Sequence, residues 1–189
     1  GCTSGSISAM VGEPATALSS TITGEDANCF GVSDGSVDLS PSGGTSPYTF
    51  VWNNGAITED LTAVPAGTYS VTITDDNGCT ATNSITINEP TGITSSLSKT
   101  DVMCFNGSDG SVTLSVSGGT PPYDYQWGNA ASTYIGATQN LTNIPASTYF
   151  VTITDDKGCI HTDNITVDEP TLLTAVLTPR DILCFGDST

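Results

Sequence analysis

Positive charge is the scarcest property of this sequence. Three basic residues, Lys99, Lys157 and Arg180, stand against 20 Asp and Glu, giving a formal net charge of −17. Binding phosphates needs Lys and Arg to displace counterions, so nucleic acid is excluded as a partner and anionic lipid is disfavoured on the same ground. Histidine is almost missing too. His161 is the sole one, so repeated parts cannot assemble a His-based metal cluster or a Ser-His-Asp triad, and His161 itself reads as exposed on its strand. No apolar run approaches the eighteen or so residues of a membrane span, so no membrane insertion of this segment is expected. No stretch sustains a 3.6-residue apolar period, which argues against helices. Gly1 opens the sequence without a basic-then-apolar leader, which reads as a removed signal or an internal excerpt.

What the sequence has is repetition. Glu-Pro occurs at Glu13-Pro14, Glu89-Pro90 and Glu169-Pro170, and Cys-Phe comes after each: Cys29-Phe30, Cys104-Phe105 and Cys184-Phe185. "SDGSVDLSPSGGTSPYTFVW" then matches "SDGSVTLSVSGGTPPYDYQW", and "LTAVPAGTYSVTITDDNGC" matches "LTNIPASTYFVTITDDKGC". The one difference in length lies between Trp52 and Leu61, nine residues on, and between Trp127 and Leu141, fourteen on. The second copy therefore carries a five-residue insertion, read as a longer loop. Internal periods of this kind mark stacked building units. Two complete repeats are expected at 15–90 and 91–170, with the final strand of a preceding repeat at 1–14 and the first strand of a following one at 171–189. The chain reads as a piece of a longer array.

Each repeat reads as all-β. Tyr69, Val71 and Ile73 alternate with Ser70, Thr72 and Thr74, and Tyr149, Val151 and Ile153 do the same. That period of two puts one face in a core and the other in water. Val37 and Leu39, and Val112, Leu114 and Val116, mark an earlier strand. Tyr48, Phe50 and Trp52, matched by Tyr123, Tyr125 and Trp127, place three aromatics on one core-facing side of the next. "DDNG" and "DDKG" between alternating runs signal hairpins, and "SGGT" and "PAG" signal turns. Six or seven short strands per repeat predict tandem antiparallel β-sandwiches of immunoglobulin or fibronectin-III type, with Trp52, Tyr69, Trp127 and Tyr149 in their cores. "LTAVPAGTYSV" resembles the corner of fibronectin-type domains, where a Tyr after the turn anchors the next strand.

The sequence has six cysteines at regular spacing, which argues for disulfides and an oxidising, exported setting. Cys29 and Cys104 fall between the first and second strands, and Cys79 and Cys159 come just after the last hairpin. In a sandwich those turns lie at opposite ends, roughly 25 Å apart for strands of this length, whereas a disulfide needs Cα atoms within about 7 Å. Cys29–Cys159, from one repeat to the next, is therefore expected, leaving Cys79 and Cys104 to pair with neighbouring repeats. The alternative keeps each pair within its repeat. A calcium site is conceivable at the doubled Asp75-Asp76 and Asp155-Asp156, since Ca²⁺ takes oxygen ligands, but Asp before Asn-Gly or Lys-Gly is ordinary turn chemistry, and no cofactor is expected. No pair of carboxylates stands out as acid and base, so no enzyme is expected. "SGGT" lacks the following Lys and helix of a phosphate loop.

"CFNGSDGSVTLSVSGGTPPYDYQW", "LTAVPAGTYSVTITDDNGC" and the closing Glu-Pro resemble the SprB repeat, which is named for a giant surface adhesin of gliding bacteria. The likeness runs over both repeats and the flanking pieces. Departures are small: Pro41 replaces the apolar residue seen at Val116, and Ser147 replaces Gly67. The resemblance implies a large extracellular cell-surface protein exported by the type IX system, built of many modules and adhering to the substratum. The segment is then a shaft and surface-adhesion module of a filament, serving gliding motility or biofilm attachment. Its partners are neighbouring repeats, external surfaces or polysaccharide, and other shafts in lateral self-association. A repeated carbohydrate-binding module and a passive stalk of a secreted enzyme are the alternatives.

Overall fold

The computed structural model describes residues 16–178. Residues 1–15 and 179–189, which hold the expected strand at 1–14 and most of the one at 171–189, lie outside the described residues, and 171–178 carry no strand. The described residues form strands and turns without a helix. By internal contacts they divide into two compact units: residues 16–94 with 117–123 and 154–160, and residues 95–116 with 124–153 and 161–178.

The first repeat supplies β1 (Ser19–Glu25), β2 (Gly35–Ser42), β3 (Thr49–Trp52), β4 (Leu61–Val64), β5 (Gly67–Thr74) and β6 (Thr80–Ile87). They form two three-stranded sheets, in the orders β1-β2-β4 and β3-β5-β6. The pairs are antiparallel, with Ile22 opposite Leu39 and Tyr69 opposite Ile85. Val37, Leu39, Leu61 and Val64 face Trp52, Tyr69, Val71, Ile73 and Ile87 in one buried cluster between the sheets. This is the sandwich that alternating patterns require, since each sheet has a single apolar face to bury.

The second repeat supplies β7 (Thr94–Thr100), β8 (Gly110–Ser117), β9 (Tyr123–Asn129), β10 (Ser132–Gly136), β11 (Leu141–Ile144), β12 (Ser147–Asp155) and β13 (Ile160–Val167). Its sheets run β11-β8-β7 and β10-β9-β12-β13. The partition of strands is the same, with one strand added. The insertion is thus not a plain loop: it becomes β10, which pairs with β9 through an irregular register from Ser132↔Asn129 to Gly136↔Trp127. A second departure concerns the aromatic triplets. Trp52 and Trp127 are fully buried, but Tyr48, Phe50, Tyr123 and Tyr125 are half-buried. In the first repeat β3 is an edge strand that begins only at Thr49, one residue after Tyr48, while in the second all three aromatics lie on β9 and still only Trp127 is fully buried.

The turns explain the most insistent phrases. In "SGGT" the backbone is left-handed at Gly43 and Gly44 (φ 71° and 62°) and at Gly118 and Gly119 (φ 75° and 65°). A Cβ on Gly43 would come 2.1 Å from the carbonyl oxygen of Ala17, and one on Gly118 equally close to that of Gly92. Both glycines are therefore obligatory. The "DDNG" turn is a three-residue hairpin loop: Asp75 exchanges backbone bonds with Gly78 (2.9 Å) and Cys79 (3.0 Å), and Gly78 has φ 81°. Only the glycine needs a left-handed backbone, so Lys157 fits where the first repeat has Asn77. Tyr69 and Tyr149 each donate their hydroxyl to the carbonyl four residues upstream, Pro65 and Pro145, at 2.7 Å. This is the tyrosine corner of such sandwiches.

Candidate functional site

Cys29 lies in the β1–β2 turn and Cys159 in the β12–β13 turn, and the structure joins them. Their Cα atoms are 5.6 Å apart and 130 residues separate them in sequence. No bond forms inside a repeat among the described residues; Cys79 and Cys104 are free and exposed. A cleft of about 420 Å³ borders the disulfide, lined chiefly by Phe30, Val32, Pro90, Ile93 and Ile160. Phe30 and Ile160 remain well exposed beside it.

Carboxylates build the turns that present these sulfurs. Asp75 is buried and uses both oxygens: Oδ1 accepts from the N–H groups of Asn77 (3.0 Å) and Cys79 (2.8 Å), and Oδ2 from Thr45 (2.9 Å). Asp155 repeats this with Lys157, Cys159 and Thr120 at 3.0, 2.9 and 2.8 Å. Each therefore ties the hairpin turn carrying a cysteine to the double-glycine turn of its own repeat. Burial opposes ionisation of both groups, but the converging backbone donors outweigh it and hold both carboxyls below the ordinary 3.8. With their oxygens spent on amides, Asp75 and Asp155 are turn fasteners, while Asp76 and Asp156 are exposed. Among the described residues no three His, Cys, Asp or Glu side chains converge to hold a metal ion.

The β1–β2 turn has its own fasteners. Asp34 accepts from the backbone N–H of Asn28 at 3.0 Å and from its side-chain amide at 2.9 Å, and these bonds, the amide's foremost, lower its pKa. Asp109 accepts from Met103 N–H at 3.1 Å in the same way. The Glu of each Glu-Pro reaches back to this turn: Glu89 accepts from Gly31 and Glu169 from Asn106, both at 2.6 Å. Gly31 and Asn106 share a left-handed backbone (φ 72° and 60°). In the sequence Glu-Pro reads only as a boundary mark, and nothing local points to this contact between residues about sixty positions apart. Asp60 and Asn140 complete the set, accepting from the strand amides of Leu39 and Leu114 at 3.0 Å where β4 and β11 stop short.

One polar cluster distinguishes the second repeat. Ser95 donates to Asp163 Oδ2 at 2.6 Å, and His161 Nε2 lies 3.0 Å from the same hydroxyl oxygen. His161 is thus half-buried on the seam between β7 and β13, not the free surface group its strand position suggests. Ser95 has a single proton and gives it to the carboxylate, so the imidazole must be the donor to the oxygen. That polarity is opposite to the one by which a histidine base activates a serine. Ser20 and Asn83 fill the equivalent places in the first repeat, joined at 3.1 Å. A second local change is also compensated: Asp168 stands where the first repeat has Asn88, and Lys99 bridges Asp168 and Asp101.

The SprB repeat family model matches residues 21–57 and again residues 96–132. At these two places the chain is similar to the SprB repeat family. Each match runs from the first strand of a repeat, through the turn bearing Cys29 or Cys104, past the strand ending in Trp52 or holding Trp127. No curated protein matches the chain. Among solved structures it is similar to the N-terminal eight immunoglobulin domains of Down syndrome cell adhesion molecule, at 16% identity and TM-score 0.42 over 84% of this chain and 25% of that one. It is also similar to murine CEACAM1b, at 15% identity and TM-score 0.33 over 79% of this chain and 100% of the other. An amphioxus IgVJ-C2 molecule aligns at 14% identity and TM-score 0.33 over 78% and 95% of the two chains. The chain thus spans a quarter of the first of these.

Proposed function

We propose that this chain is a segment of a repeat array in a large bacterial cell-surface adhesin, where SprB repeats act as a covalently stapled shaft and as surface-adhesion modules. The repeats are taken as 15–90 and 91–170. The observation that carries the reading is the joint one: the family model matches twice, and a disulfide joins Cys29, inside the first match, to Cys159, in the hairpin turn that follows the second. Export to an oxidising, extracellular place agrees with that bond, and gliding motility or biofilm attachment is the role assigned. The recurrent acidic side chains support a structural rather than a catalytic reading, because Asp34, Asp75, Glu89 and their counterparts are engaged in holding backbone amides. The charge of −17 keeps neighbouring shafts soluble and mutually repelled. The partners proposed are neighbouring repeats and an external surface or polysaccharide. Tyr134 on β10 is more than half exposed and offers an aromatic face to such a surface.

The test is binding of the two-repeat chain to a panel of immobilised polysaccharides, with and without Ca²⁺. Saturable binding that is lost in Tyr134→Ala makes the repeats themselves adhesive. A folded chain that binds none of the panel restricts the repeats to the shaft and overturns the adhesive half of the proposal.

A further inference from the structure

Among the described residues the two free cysteines occupy the same built positions as the two bonded ones. Cys79 corresponds to Cys159: in both turns an Asp four residues back accepts the cysteine N–H, at 2.8 and 2.9 Å, and donates its own N–H to the cysteine carbonyl at 3.0 Å. Cys104 corresponds to Cys29: each opens a turn closed by a backbone bond to the residue three places on, Gly107 at 2.9 Å and Val32 at 3.3 Å. Each such turn has a left-handed third residue held by the carboxylate of Glu169 or Glu89. The frames match, yet among the described cysteines only Cys29 and Cys159 are bonded, and the thiols of Cys79 and Cys104 are exposed.

We infer that Cys104 and Cys79 are the two halves of a linkage site for a second copy of this chain, Cys104 of one copy bonding Cys79 of the next. The bond rule seen within the chain is the β1–β2 turn of one repeat to the last hairpin turn of the following repeat. Applied between copies, this rule joins unlike surfaces, and a contact between unlike surfaces propagates instead of closing. In the parent array it bonds each repeat to the one after it. The inference rests on the array reading for its place in the parent protein, but not on adhesion. The chemistry is thiol–disulfide exchange with a low-molecular-weight disulfide as oxidant. The Cys104 thiolate attacks that disulfide, forms a mixed disulfide and releases one small thiol. The Cys79 thiolate of the second copy then attacks the Cys104 sulfur and expels the other small thiol. Two protein thiols are oxidised and one small disulfide is reduced to two thiols.

A covalent ladder of this kind changes what pulling can do. From Cys29 to Cys159 the backbone runs 130 residues, and a fully extended chain spans at most about 3.6 Å per residue. The disulfide removes that length from the covalent path, so bonded repeats cannot be drawn out even when unfolded.

The experiment uses the full chain with Cys2→Ser and Cys184→Ser, so that Cys79 and Cys104 are the remaining free thiols. It is incubated concentrated with oxidised glutathione, then read by non-reducing electrophoresis and by mass spectrometry of linked peptides. The expected result is a ladder of multimers, reversed by reductant, in which Cys104–Cys79 peptides far outnumber Cys79–Cys79 and Cys104–Cys104. Cys104→Ser on this background abolishes the ladder. Either a purely statistical mixture of the three linkages or monomers carrying glutathione on both thiols overturns the inference. The Cys29–Cys159 peptide in the same digest verifies that the chain is folded. Polysaccharide binding, measured on the monomer, reports on adhesion separately, so loss of one does not masquerade as loss of the other.

Discussion

Trp127 donates its indole N–H to the carbonyl of Thr138 at 2.9 Å. In the first repeat Trp52 makes the same bond to Thr58 at 2.8 Å. The five extra residues of the second repeat fall between donor and acceptor, so the ring is fastened identically over a short loop and over a long one. The backbone just past the acceptor is fixed as well, since Asp60 and Asn140 sit two residues beyond that carbonyl and cap the same strand amide. The insertion is therefore an addition to the rim that leaves the core untouched. Deleting residues 131–135 removes most of β10 and its edge pairing with β9 but leaves the core in place, so it should cost the second repeat no more than about 2 kcal/mol, at about 0.5–1.5 kcal/mol for each hydrogen bond lost, with closure entropy changing by only about 0.6 kcal/mol. Trp127→Ala should cost about 3–5 kcal/mol. Urea unfolding checks both, monitored by Trp127 fluorescence for the deletion and by circular dichroism for Trp127→Ala.

Acid should loosen the cysteine-bearing hairpin turns. Asp75 and Asp155 have folded pKa values below the ordinary 3.8. A depressed carboxylate contributes stability that is present above its unfolded pKa and lost as pH falls through the folded one. The urea midpoint should therefore be flat from neutral pH down to about 5 and fall below about 4. Asp75→Asn should lower the neutral-pH midpoint of the first repeat and flatten its acid limb, because an amide offers one oxygen where three N–H groups are held. An unchanged acid limb in that variant would assign the acid sensitivity elsewhere.

The sandwich is legible in the sequence because its signal is local: Tyr69, Val71 and Ile73 reveal their face by alternation alone. The topology so inferred also sets Cys29 apart from Cys79, and the bond runs to Cys159. What escapes such a reading is whatever depends on a partner far along the chain. The Asp75 carboxylate reads as a turn residue or a calcium ligand until Thr45, thirty residues away, is seen to donate to it. Glu89 reads as punctuation until it meets Gly31. β10 is hidden because "STYIG" has no alternation long enough to register; its strand character comes from the edge of β9 that the insertion happens to reach. His161 reads as a surface group since nothing in its neighbourhood names Ser95, 66 residues earlier.

Ala63 should be an improvable position. It is left-handed (φ 54°), as is its counterpart Asn143 (φ 56°), and it is the extra residue where Gly35 pairs with Val64 and Ser36 with Thr62. A left-handed residue bearing a Cβ costs roughly 1–2 kcal/mol, and Asn bears this better than Ala. Ala63→Gly should raise the stability of the first repeat by up to about 1 kcal/mol, less the extra chain entropy glycine loses on folding. Ala63→Asn should give a smaller gain, and Ala63→Val a loss. Trp52 fluorescence in a Trp127→Phe background isolates the repeat concerned.

Pulling the chain by its two ends should show the disulfide directly. Both repeats can unfold under load, but the 130 residues from Cys29 to Cys159 stay shunted by the bond. Adding a reductant should lengthen the fully unfolded chain by about 450 Å, the span of that segment at roughly 3.5 Å per residue. Cys29→Ser should show the long contour without reductant. Cys79→Ser should behave as the unaltered chain, since that thiol closes no loop within it. A step near the length of a single repeat instead would mean that Cys29 bonds Cys79, and the linkage rule between repeats would fall with it.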